Sequence, residues 1–200
     1  MSDNTEDSRL LEPITALVLG LAAVLTALAA YLSATQGGEE AEARAAAIKA
    51  NSEANSAVNG SIQTYAADQA MFATWAESNY GENTELSEYL MTLMRPELKT
   101  AIEEWTADDS DAETPFEMAS YVIEDDAFAE AAFADAEKQE AKAKEAADKG
   151  DAYDKAAIFL ALALFFAGIA TTFRRRIFSG ALLGLGTISM VVGAVTLVTA

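Results

Sequence analysis

The stretch "AAIFLALALFFAGIATTFRRRIFSGALLGLGTISMVVGAVTLVTA", Ala156 to Ala200, decides the fold. Two apolar runs, 156–173 and 177–200, flank three consecutive arginines, and neither run contains Asp, Glu, Lys or Arg. About 20 apolar residues in helical form cross a hydrocarbon core of about 30 Å. A helix on the surface of a soluble protein keeps a polar face, and neither run has one. Both therefore read as transmembrane helices. The link between them, 174–176, is essentially Arg174, Arg175 and Arg176, so the two spans form a hairpin with guanidinium groups at the lipid headgroups.

A third charge-free run, Ile14 to Leu32, supplies the first span, taken as residues 14–33. The tail before it, residues 1–13, is acidic, whereas a cleaved signal peptide has a basic start. "YLSATQ" after it lacks a clean small-x-small cleavage site, so the run reads as a retained anchor. Short loops hold positive charge on the cytoplasmic side. This places the arginine turn in the cytoplasm, the N-terminus inside, and residues 34–155 outside the cytoplasm in a multi-pass protein of the cell membrane. Lys138, Lys142, Lys144, Lys149 and Lys155 before the second span pull the other way. Long loops, however, translocate largely regardless of charge.

The chain of 200 residues is 52% hydrophobic yet carries a net charge of −19. Segregation reconciles the two figures, since 28 of the 32 acidic residues lie in 34–155. So acidic a domain argues against nucleic-acid binding. Without cysteine there is no disulfide or thiolate metal site, and without histidine the commonest general base and zinc ligand are missing. No catalytic, cofactor-binding or metal-ligating set is assigned. Asp109, Asp111 and Glu113 alternate in an acidic turn, 108–113, but a calcium loop counted from Asp109 needs Gly and Glu where Thr114 and Ser120 stand.

The middle of the chain has a helix-forming composition. One long helix is expected from Glu39 to about Ser78, with a heptad seam at Val58, Ile62, Tyr65, Gln69, Phe72 and Ala76. Gly37–Gly38 and Gly150 are expected to loosen the chain, and Gly60 to interrupt the helix. A second helix follows with Thr84 as its cap and Leu86, Leu90 and Leu93 on one face. After Pro96 an apolar stripe continues through Leu98, Ile102 and Trp105. "TPFE", Thr114 to Glu117, carries the signature of a capping box and predicts a third helix. Trp75, Trp105, Phe72, Phe116, Phe128 and Tyr121 form the expected core. The expected fold is all-α, with three transmembrane helices plus a long-helix hairpin or three-helix extramembrane bundle.

Within the third span, Gly180 and Gly184 form G-x-x-x-G, and Gly193 stands at small-x-x-x-small spacing from Ser189. Such residues let helix backbones approach closely in lipid. They serve packing within the three-span unit or self-association. The arginines serve topology and interface anchoring.

"AADQAMFATWAESN", Ala66 to Asn79, is similar to a motif of the form A-S-D-Q-W-A-F-Y-Q-A, with Asp68, Gln69 and Phe72 matching and the tryptophan displaced to Trp75. With the charged helix, second span and arginine turn of 136–178, the chain resembles a family of small prokaryotic membrane proteins of unknown function. The resemblance implies the architecture and no activity. The functional expectation is a non-enzymatic integral membrane protein, without cofactors, acting by helix–helix association as scaffold or accessory subunit. Its partners are the lipid bilayer and either further copies of itself or another membrane protein. The alternative is a small oligomeric channel or transport component.

Overall fold

The computed structural model describes residues 6–107, 111–173 and 175–200, with side chains from residue 13 onward except that of residue 176. Among these residues the fold is all-helical: α1 (Glu6–Tyr80), α2 (Thr84–Leu93), α3 (Pro96–Ala107), a 3-10 turn (Pro115–Glu117), α4 (Glu124–Ala170) and α5 (Arg176–Thr199). Three of these helices contain stretches long and apolar enough to cross a membrane. The chain divides into two units, 1–45 with 139–200, and 46–138.

The first unit contains the three apolar stretches. There α4 and α5 run antiparallel. Ser179 Oγ donates to the Ala170 carbonyl at 2.9 Å and Ser189 Oγ to the Phe159 carbonyl at 2.8 Å. Val18, Ala167, Ala170 and Leu183 form the buried contact of α1, α4 and α5. Farther along, Gly150 of α4 faces Gln36 of α1, so these helices are antiparallel too. Neither Gly37–Gly38 nor Gly150 breaks its helix, contrary to the expectation of loosened junctions. A glycine within a helix costs only about 1 kcal/mol, which intact neighbouring turns absorb.

In the second unit α1 presents two adjacent faces. One is a stripe of small residues at alternating steps of three and four: Ala47, Ala50, Ala54, Ala57 and Ser61, all buried. Ala129 and Ala136 of α4 are buried likewise. Ser61 donates a hydrogen bond to Asp126. Gly60 lies within the helix rather than interrupting it, and a Cβ there would collide with the Asp125 carboxylate. The expected seam is therefore corrected by one residue, or about 100° of helix. Val58 and Phe72 are half-buried, and Ile62 and Tyr65 are exposed. Small side chains line the contact because they let helix axes approach closely.

The aromatic half of that seam packs on the other face. Phe116 sits edge-on to Tyr65 (5.3 Å), Phe72 (5.5 Å) and Tyr121 (5.1 Å), and Phe72 meets Trp75 and Trp105. Below them Trp75, Leu90, Met94, Leu98 and Ile102 form the buried core. Phe128, expected in the core, is 54% exposed. The third helix does not start at Thr114. Glu117 bends back to the Glu113 amide, the turn ends at once, and α4 begins only at Glu124. The cap of α2 is Asn83, whose side chain accepts from the Leu86 amide, and Thr84 is the first helical residue.

Leu98→Ala should cost about 2–5 kcal/mol of this unit's stability, because it removes a fully buried side chain. Phe128→Ala should stay within about 0.5 kcal/mol. Denaturant unfolding followed by tryptophan fluorescence checks both. Equal losses at the two positions would contradict the observed packing.

Candidate functional site

Two sets of residues stand out: the glycine faces of the spans, and a polar cluster in the second unit. Five of the chain's glycines lie on α5 or close to it, and they divide sharply. A Cβ at Gly186 would sit 3.1 Å from the Ala163 carbonyl oxygen, and one at Gly193 would sit 2.8 Å from Leu160 Cγ. These two positions let α5 lie directly on α4. Around Gly168, Gly180 and Gly184, by contrast, a Cβ meets nothing within 4 Å among the described residues. The glycines named from the sequence thus serve different surfaces. Gly193 is filled by its own chain, while Gly180 and Gly184 face outward. Gly186, missed in the sequence reading, is the close neighbour of α4. Its seven-residue spacing from Gly193 was the available signal.

The hydroxyls of the spans are also placed. Thr187 donates to the Leu183 carbonyl and Thr171 to the Gly168 carbonyl, while Ser189 reaches across to α4. An open apolar groove of about 400 Å³ runs between α1 and α5, lined by Leu21, Leu25, Met190, Val191, Ala194 and Val195. Of the arginine turn, Arg174 and the Arg176 side chain lie outside the described residues. Arg175 is exposed and stands at the N-terminal cap of α5. The acidic turn 108–113 is only partly described, because residues 108–110 lie outside.

The polar cluster is built on Asp68, which is 5% exposed. Its Oδ2 accepts from Arg95 Nη2 at 2.7 Å, Arg95 Nε at 3.0 Å and the Tyr121 hydroxyl at 3.0 Å. Arg95 Nη1 donates to Glu97 at 3.0 Å, and both Nη atoms lie 3.5 Å from the Val122 carbonyl oxygen. The guanidinium also lies 5.9 Å from the centre of the Tyr121 ring, within cation–π range. One carboxylate thus ties α1 to the α2–α3 junction and to the segment before α4.

The electrostatics follow from this geometry. The hydrogen bond to Asp68 raises the Arg95 pKa, against the opposing effect of burial. Burial first, and then the bond to the Asp68 carboxylate, push the Tyr121 phenol well above its ordinary range. Among the described residues no buried side-chain nitrogen or oxygen lacks a hydrogen-bond partner, so the cluster reads as a structural tie. Of the motif residues quoted above, Asp68 anchors this cluster, Phe72 joins the aromatic group, and Gln69 is exposed. Arg95 and Tyr121 were not singled out as polar partners in the sequence. Only an arginine isolated between Met94 and Pro96 in so acidic a domain hinted at a buried pair.

Among the described residues, no cluster of three or more carboxylate, histidine or cysteine groups is arranged to hold a metal. Comparison with protein-family models, curated proteins and solved structures gave no match.

Arg95→Ala strands the Asp68 carboxylate. It should cost about 3 kcal/mol, the lower end for a broken buried pair, because the Arg95 side chain is still 31% exposed. The raised Tyr121 pKa contributes stability that is fully present below about pH 10 and declines as pH rises beyond it. Tyr121→Phe should remove that alkaline decline. Chemical denaturation from pH 8 to pH 11 measures it, and parallel profiles for the two proteins would contradict the assignment.

Proposed function

We propose that this chain is a non-enzymatic integral membrane protein that acts by helix–helix association, as a scaffold or accessory subunit. The observation that carries the reading is the open face at Gly180 and Gly184. Lipid tails are as apolar as leucine, so helices in a bilayer associate mainly through close van der Waals packing. Two glycines four residues apart give a backbone-deep contact surface, and the described residues leave it unfilled. Only 17–22% of each apolar stretch is buried within the chain, which leaves ample surface for lipid or another helix.

The proposed partners are the bilayer and either further copies of this chain or another membrane protein. Nucleic acid is not among them, given twenty acidic against four basic residues between 46 and 138. An oligomeric channel or transport component is the second reading. Its signature would be polar span residues, such as Thr171, Thr172, Thr187 and Ser189, lining one shared path; of these, the Ser189 hydroxyl donates across to the Phe159 carbonyl of α4.

The proposed orientation holds the arginine turn in the cytoplasm and residues 34–155 outside it, in the cell membrane. Because the chain has no cysteine, single-cysteine labelling tests this directly. Asn79→Cys should react with a membrane-impermeant thiol reagent in intact cells, and Phe173→Cys only after lysis. The reverse pattern would invert the topology.

Association is tested by native mass analysis in mild detergent. Gly180→Leu with Gly184→Leu should dissociate the complex while leaving the melting temperature near that of the parent. Gly193→Ala should instead lower stability by about 1–3 kcal/mol through overpacking against Leu160. A parent protein that is strictly monomeric and copurifies with no membrane protein would sink the reading.

A further inference from the structure

Helix α2 is amphipathic twice over. Ser87, Leu90 and the adjoining Met94 are buried against the core of the second unit. Leu86, Tyr89 and Leu93, at positions i, i+3 and i+7, form a second apolar ridge and remain 40, 59 and 54% exposed. A ten-residue helix needs only one apolar face to dock onto its own domain. The second is therefore surplus to the fold.

The surroundings of the ridge are acidic. Glu85 and Glu88 lie on its flank away from the core, Glu82 precedes the helix, and all three are exposed. Among the described residues none of them is paired with a lysine or arginine. Glu97, by contrast, is paired with Arg95.

We propose that this ridge is a docking surface for a basic amphipathic helix of a partner protein. Apolar side chains of the partner, spaced by three and four residues, would cover Leu86, Tyr89 and Leu93, and its Lys or Arg side chains would meet Glu85 and Glu88. Charge selects this occupant over two others. A second copy would bring another unit of net charge −16 against the first. Anionic headgroups would be repelled in the same way. The proposal rests on the association reading and adds the partner's chemistry, at a surface separate from Gly180 and Gly184.

The test uses the full chain in phosphatidylcholine nanodiscs and a fluorescent synthetic helix made only of Leu and Lys, with empty discs subtracted. The Leu/Lys peptide should bind, and its Leu/Glu counterpart should not. The triple variant Leu86→Ser, Tyr89→Ser, Leu93→Ser keeps every charge and leaves Ser87, Leu90 and Met94 in place, so it should remain folded, yet weaken binding about tenfold. Glu85→Gln with Glu88→Gln should weaken it several-fold and flatten its salt dependence. Equal affinity of the parent and the ridge variant would overturn the proposal in favour of mere electrostatic adsorption. So would equal binding of the Leu/Glu peptide, or a parent dimer that the ridge variant loses. Loss of peptide binding with membrane association intact sinks the ridge alone. Intact peptide binding with a chain that is strictly monomeric and copurifies with no membrane protein sinks the span-mediated association alone.

Discussion

The close approach of helix backbones is the constraint on which the rest of this structure depends. Two helices can lie on one another only where side chains are small. In the first unit Gly186 and Gly193 place α5 directly against the Ala156 and Ala163 backbone of α4. In the second, Ala47, Ala50, Ala54, Ala57 and Ser61 give α1 a smooth buried stripe. The physics differs between the two settings. In lipid, dispersion and geometry drive association, and small residues serve both. In water, an alanine stripe buries little apolar area per residue, so it defines a register more than it supplies stability.

Stability in the second unit comes from larger side chains placed beside that stripe. Leu98 and Ile102 are almost fully enclosed, and Phe116 links Tyr65, Phe72 and Tyr121 edge to face. The Asp68–Arg95 pair lies next to this group. A buried pair is weak evidence for net stability, since desolvation offsets its Coulomb attraction. Its effect here is geometric. One carboxylate oxygen collects three donors from two other chain segments, which fixes where α2, α3 and the start of α4 can lie.

Much of the architecture was legible in the sequence because it follows from local composition. The three charge-free runs mark membrane-length helices without reference to any partner, although α4 ends at Ala170, short of the expected end of the second span at residue 173. Pro96 at the first turn of α3 and the stripe of Leu98, Ile102 and Trp105 were also local signals, and α3 follows them. The errors lie where large residues drew attention from small ones. Val58, Ile62, Tyr65 and Phe72 look like a seam because they are big and correctly spaced, yet the helix contact runs through Ala57 and Ser61. "TPFE" had the right residues for a helix start, but the turn ends at Glu117, and Phe116 and Tyr121 pack on α1 instead.

The sequence by itself determined the helical class, the three membrane-length apolar stretches and the acidic composition of the middle, because each depends on residue type within a short window. Tertiary structure decided which glycines are filled and which are open, and that Asp68 meets Arg95 and Tyr121. It also decided that α2 shows a second apolar ridge to solvent. Such facts join residues far apart in the chain, 27 positions for Asp68 and Arg95 and 53 for Asp68 and Tyr121. No local pattern encodes which distant backbone will lie against a glycine, and only the packed chain settles it.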